Sequence, residues 1–137
     1  MQITRQSEYA IKILIELAKA EIGQLISSRI ISEHQDIPEV FLQKTVQQLA
    51  RAGLVTTQRG IQGGVRLAVA ADEITIANVL QAIEGPVAIN PCLGTGFVCP
   101  NSVTCQVRRI LNRAQEAMNQ ELNRETIADI VAGNIQV

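Results

Sequence analysis

The chain has 137 residues, enough for one compact domain with an appendage that buries roughly two-thirds of its unfolded surface, and too few for two independent domains. Apolar residues make up 47% and charged residues 18%, which excludes a disordered polymer; with two Phe, one Tyr and no Trp, the core must be aliphatic. A formal net charge of -1 argues on average against a nucleic-acid partner, but residues 1–70 carry eight Lys or Arg against six acids, residues 71–137 four against seven, and 41–66 holds Lys44, Arg51, Arg59 and Arg66 with no acid at all.

In the opening stretch MQITRQSEYAIKILIELAKA, Lys12, Glu16 and Lys19 interrupt the apolar residues before they reach membrane-spanning length. No export signal is recognisable, so a cytoplasmic protein without a membrane partner is expected. Ile11, Leu14, Ile15 and Ala18 recur at helical spacing and predict a first helix over about 5–20, capped by Thr4 or Ser7 and ended at Gly23. Ser27 and Ser28 lead into a two-turn helix, RIISEHQ. Asp36-Ile37-Pro38 reads as a restart, with Asp36 as cap and Pro38 in the first turn of a third helix through VFLQKTVQQLARA. Leu42, Val46 and Leu49 of that helix face inward, and Gly53 takes the left-handed terminator position. Two short helices across a tight break, the second basic, have the form of a helix-turn-helix. Residues 54–58 and 65–69 read as short strands joined by RGIQGG, and a hairpin placed directly after a recognition helix is a wing.

Thr75 caps a fourth helix with Ile76, Val79, Leu80 and Ile83 on one face, closed by Gly85-Pro86. Residues 87–104 have no periodicity and hold all three cysteines. A long helix returns over about 104–123, with Val107, Leu111, Ala114, Met118 and Leu122 forming a seam suited to another helix. The expected fold is therefore mainly α with a small β-hairpin wing. It divides into a winged helix-turn-helix DNA-binding unit over 1–85, a cysteine loop over 86–105, and a dimerisation helix with a short C-terminal helix over 104–137.

Cys92, Cys99 and Cys105 are separated by six and five residues on a loop rich in turn formers, which can fold back until the sulfurs converge. Thiolates in a reducing compartment select zinc or iron-sulfur clusters; the plain alternatives are three small hydrophobes or an adventitious disulfide. Three thiols leave such a site one ligand short. His34, the sole histidine, reads as a surface or turn residue. Glu8 on the first helix either stabilises that helix N-terminus or reaches a partner's loop across a dimer interface. No enzyme constellation is present: Gly60, Gly63 and Gly64 sit between strands and do not open a phosphate-binding helix.

Gln43, Lys44, Gln47 and Arg51 lie three or four residues apart on the outer face of the third helix. Gln suits adenine, Lys guanine or phosphate, and Arg51 the backbone. Arg59 at the hairpin can enter a narrow minor groove. Gly60 and Gln62 of the wing, with Ser28, Glu39 and Val40 at the helix starts, complete the expected DNA-contacting set. The bland alternative for the whole set is a solvated polar face.

Taken together, ITRQSEYAIKILIELA, LQKTVQQLARAGLV, TTQRGIQGGVRLA, ITIANVLQAIEG and the three-cysteine loop resemble the Rrf2 family of winged-helix bacterial transcription regulators, with its IscR- and NsrR-like iron-sulfur sensors, over nearly the whole chain. The resemblance implies a homodimer built on the long helix, a near-palindromic double-stranded DNA operator, and a 2Fe-2S or 4Fe-4S cluster on Cys92, Cys99 and Cys105. In some members an acidic residue near the start of the partner chain's first helix completes the site, which implies Glu8 as the fourth ligand; others place a histidine three residues after the last cysteine, where this chain has Arg108. Gln43-Lys44 stand where the IscR pattern has Glu-Gln, which trades a carboxylate suited to cytosine for an amide suited to adenine. Ile61-Gln62 replace the usual Pro-Gly of the wing. The rival readings are a zinc or thiol switch on the same fold, and a small electron-transfer iron-sulfur protein, against which the missing fourth cysteine and the acid-free segment both argue.

Overall fold

A computed structural model describes residues 2–94, 96, 99–101 and 104–135. The first helix, α1 (Arg5–Lys19), starts where the Thr4 hydroxyl accepts from the Ser7 N–H at 3.2 Å. Its buried residues, Ser7, Ala10, Ile13, Leu14 and Leu17, repeat every three or four positions and form one stripe. Helix α2 (Ser28–Gln35) is capped by Ser27, and α3 (Glu39–Arg51) buries Leu42, Thr45, Val46 and Leu49.

The connection between α2 and α3 corrects the expected restart. Asp36 does not cap α3; it ends α2 as a left-handed C-cap with φ 53°, and Pro38 occupies the N-cap of α3 without a side-chain bond. Asp tolerates that backbone region better than most residues, and using it here turns the chain within three residues. The turn is fixed from inside by Ile37, which is buried and whose N–H and carbonyl both bond Ser32.

Gly53, at φ 79°, terminates the α3 region as expected. Strands β1 (Val55–Gln58) and β2 (Gly64–Leu67) then pair antiparallel, Val55 opposite Leu67 and Gln58 opposite Gly64. The hairpin is shorter than the sequence suggests: Val55 and Val65 are buried in the core, and Leu54, Leu67 and Val69 pack half-buried against it. It gains a third partner that the sequence does not announce. Ile26, just before α2, exchanges two backbone hydrogen bonds with Val65, at 2.9 and 2.8 Å. The approach is so close that a Cβ on Gly64 would lie 2.4 Å from the Ile26 carbonyl oxygen, which is why glycine stands there.

Helix α4 (Ile76–Glu84) opens with a capping box between Thr75 and Asn78. The long helix α5 (Gln106–Leu122) follows the cysteine loop, and α6 (Ile127–Ala132) opens with a second capping box, Thr126 with Asp129. Grouped by sequence with the dimerisation segment, α6 instead folds back against α1. Thr126 bridges Thr75, the Ile127 N–H donates to the Ile74 carbonyl at 2.8 Å, and the Ile127 side chain is fully buried. Six residues are too few to hold a helix unaided, so α6 exists through this packing. The buried hydrophobic residues are all Ala, Val, Leu or Ile, the aliphatic core that composition demanded. Among the described residues no helix is long and apolar enough to cross a membrane.

Two carboxylates fasten neighbouring helices to α1. Glu84 at the end of α4 accepts from the Thr4 N–H and the Ser7 hydroxyl. Glu16 accepts from His34 Nδ1 and Gln35 Nε2, both at 2.6 Å, tying α1 to the end of α2. Burial pushes the Glu16 carboxyl up, but the bonds from His34 and Gln35 outweigh it and leave its pKa below the usual carboxylate range. A lowered folded-state pKa stabilises the fold above the unfolded value, and that stability is lost as pH falls through the lowered one. Chemical denaturation of the wild type should therefore show a loss on acidification through and below the ordinary carboxylate range that Glu16→Gln reduces, while at neutral pH the variant is less stable by about 1–2 kcal/mol. In the same assay Ile127→Ala should cost about 2–5 kcal/mol, a core-sized penalty from the last short helix.

Candidate nucleic-acid interface and cysteine loop

Burying Leu42, Thr45, Val46 and Leu49 turns Glu39, Val40, Gln43, Lys44, Gln47 and Arg51 outward on α3. A cleft of about 410 Å³ separates α3 from the wing. Gln43 and Gln47 line it from the helix, Ser28 from the start of α2, and Gln58, Arg59 and Gly60 from the hairpin. Among the described residues no carboxylate lines this cleft. Ser28, Gln43, Gln47, Arg59 and Gly60 are thus brought together, and Gln62 is exposed at the hairpin tip.

The remaining cations of the expected face go elsewhere. Lys44 lines a second cleft between α3 and α1, and Arg51 lines a third concavity that also contains Glu73. Gln58 and Ser27 join the wing cleft although composition gave them no charge to be noticed by. Helix α5 shows a similar split. Of the expected α5 seam, Val107 and Ala114 are exposed while Leu111, Met118 and Leu122 are half-buried, and Ile110 joins the exposed side. Gln115, unmarked in the sequence, is the one buried residue of α5. Its Oε1 accepts from the Ile89 N–H at 2.8 Å and its Nε2 donates to Asn119, so it anchors the beginning of the cysteine loop to the helix.

Cys92 sits in a single 3₁₀ turn (Pro91–Leu93), where its Sγ accepts from Asn90 Nδ2 at 3.0 Å. Cys105 is the N-cap of α5 and its Sγ accepts from the Arg108 N–H at 3.4 Å, while Arg108 Nε donates to the Cys92 carbonyl at 3.4 Å. Arg108 therefore ties both ends of the loop to one turn of helix. Cys92, Cys99 and Cys105 are all half-buried and none is in a disulfide. The expected convergence on one centre is not met within the chain: among the described residues no three Cys, His, Asp or Glu side chains are gathered so as to hold a metal. The donor set itself suits a soft metal or cluster, three half-buried thiols, with the Arg108 guanidinium bonded to the Cys92 carbonyl. A complete site would need the loop drawn together and a donor from outside the chain. His34 is committed to Glu16. Glu8 faces solvent in the first turn of α1, with only Arg5 beside it at 3.9 Å.

A family model described as an iron-dependent transcriptional regulator, Rrf2, matches residues 3–133. The protein named Rrf2 of Nitratidesulfovibrio vulgaris is 32% identical over 131 residues, covering 96% of this chain and 87% of that one. Among solved structures, CymR (YrzC), described as the global cysteine regulator of B. subtilis, superposes with a TM-score of 0.72 at 27% identity, covering 97% and 98% of the two chains. T. potens IscR superposes with a TM-score of 0.75 at 22% identity, covering 98% and 89%, a likeness of fold.

Replacing Gln115 by Leu would leave the Ile89 N–H without its partner, at a cost of about 1–3 kcal/mol to the local structure. Hydrogen exchange over residues 86–94 should then speed up in Gln115→Leu while α1 and α3 keep their protection; equal protection in both proteins would deny Gln115 its anchoring role.

Proposed function

The chain belongs to the Rrf2 family of transcriptional regulators, which bind DNA and are not enzymes, and on that premise we propose that it acts as a homodimer on a near-palindromic operator, with DNA affinity set by the state of Cys92, Cys99 and Cys105. The observation that carries the DNA reading is the acid-free cleft between α3 and the wing, where Gln43, Gln47, Ser28, Arg59 and Gly60 meet. In this reading α3 enters the major groove. Gln43 and Gln47 address adenine edges, the exposed Val40 meets a thymine methyl, and Glu39 accepts from cytosine. Lys44, Arg51 and Ser28 hold phosphates, while Arg59, with Gly60 and Gln62 beside it, enters the minor groove. The exposed strip of Val107, Ile110 and Ala114 on α5 is the apolar surface a second copy would cover.

An iron-sulfur cluster, 2Fe-2S or 4Fe-4S, would be held by Cys92, Cys99, Cys105 and the partner subunit's Glu8, and when bound supplies a redox-reactive iron centre. Arg108 gives this chain a means of transmission. Because it joins the Cys92 carbonyl to the first turn of α5, drawing the thiols together displaces the start of the helix that bears the dimer strip. A shift there changes the spacing of two recognition helices, and so the fit to two half-sites.

The ungathered thiols, none of them in a disulfide, also support a second reading, a thiol switch on the same fold, of which a zinc switch is the metal-bound variant. Anaerobic purification with an absorption spectrum and iron and sulfide analysis separates the two. The cluster reading expects visible charge-transfer bands with stoichiometric iron and sulfide, lost in Cys99→Ala and lost or shifted in Glu8→Ala. It also expects operator affinity to differ about 5- to 150-fold between the loaded wild type and Cys99→Ala. A colourless, iron-free wild type would sink the cluster and leave the thiols to redox or zinc chemistry.

A further inference from the structure

Of the three concavities that border α3, one faces the wing, one holds Arg51, and the third, shared with α1, contains Lys44. This third cleft, of about 250 Å³, is lined by Arg5, Gln6 and Tyr9 of α1 and by Phe41, Lys44 and Thr45 of α3. The Tyr9 and Phe41 rings meet across it, their centroids 6.1 Å apart and tilted by 31°. Gln6 is bonded to Gln48, and the Thr45 hydroxyl is spent on the Phe41 carbonyl at 2.7 Å. The cleft is left with two cations from two different helices and no carboxylate in its lining. The concavity around Arg51 differs in containing Glu73, which opposes an anion.

Among the described residues Lys44 forms no ion pair, and Arg5 has only the 3.9 Å contact with Glu8 between side chains that are 77% and 52% exposed. An ion pair that open to water holds its members weakly, so Arg5 is free to exchange Glu8 for another anion. The placement of the two cations indicates which anion. An α-helix with its side chains is about 10–12 Å across and the major groove about 12 Å wide, so a seated recognition helix has a sugar-phosphate backbone on each side. The wing, carrying Arg59, addresses one side. The α1 cleft opens on the other.

We propose that this cleft is a backbone seat in which Arg5 and Lys44 together bind a DNA phosphate on the side of α3 away from the wing. The proposal rests on the DNA-binding reading above and adds α1 to the interface. Because α1 is packed directly on α3 through the common core, a phosphate held by both helices fixes the depth and tilt of α3 in the groove while reading no base.

The test is fluorescence anisotropy on two labelled duplexes, one selected by the wild-type protein from a random-sequence library and one unselected, each titrated over a range of salt. Arg5→Gln and Lys44→Gln should each weaken both duplexes by the same factor and lower the slope of log affinity against log salt by about one. Arg5→Lys should restore most of the slope, which a structural role for the guanidinium would not allow, and Lys44→Gln carries the same readout if Arg5→Gln folds poorly. If Arg5→Gln leaves affinity and slope unchanged while Arg59→Gln lowers them, this seat is refuted and the DNA-binding reading survives. A loss confined to the selected duplex would make Arg5 a base reader and refute it equally. Failure of the wild type to bind either duplex would overturn both readings.

Discussion

The buried stripe of α1 is the surface on which the rest of the N-terminal unit is laid. Ala10, Ile13, Leu14 and Leu17 meet α2 and α3, the wing strand β2, α4 and α6 along a single 15-residue helix. Burial of that stripe is the apolar contact that all these elements share, and at about 25 cal/mol per Å² it is the main stabilising contribution available to a core without large aromatics. Its polar margins then set the angles. Glu16 draws in the end of α2, and Glu84 binds the first turn of α1 from the end of α4. The exposed first turn, with Arg5 and Glu8, is left outside the stripe and available for contacts beyond the chain.

The rigidity of the DNA-facing surface follows from the same core. A two-stranded hairpin alone is marginal in water. Here Val55 and Val65 bury their side chains, and Ile26 adds a backbone bridge from the segment that leads into α2. The wing base and the start of the helix-turn-helix are thereby one hydrogen-bonded unit, with Gly64 accommodating the contact. The width of the cleft beside Gln43 and Gln47 is set by this joint, while the tip around Arg59 to Gln62 extends from it into solvent.

The cysteine loop and α5 obey a different balance. Along 17 residues α5 buries only Gln115, which is bonded to Ile89 of the loop, while Leu111, Met118 and Leu122 are half-buried. A helix that gives so little surface to its own chain is the natural place for an element whose position answers to something else, whether a second copy or the chemistry of the thiols. Among the described residues Arg108 and Gln115 couple the beginning of the loop to it through their side chains, at Cys92 and Ile89.

Most of the helices, their caps at Thr4, Ser27 and Thr75, the terminator at Gly53 and the hairpin were legible in the residues themselves, because each depends on neighbours within a turn or two. The family resemblance was legible for the same reason, being carried by contiguous segments. What sequence alone misjudged or missed involves partners distant in the chain or a choice between equally local roles. Asp36 could cap the helix after it or end the one before, and the burial of Ile37 decided it. His34 found Glu16 across 18 residues, Gln115 found Ile89 across 26, and Ile127 found Ile74 across more than 50. The cations of α3, adjacent on a helical wheel, were sorted into separate clefts by the elements packed on either side. The local pattern determined which elements form and which faces they bury; the tertiary structure decided which polar groups meet, because a hydrogen bond or a cleft requires two segments at one place, and periodicity in one segment says nothing of the position of the other.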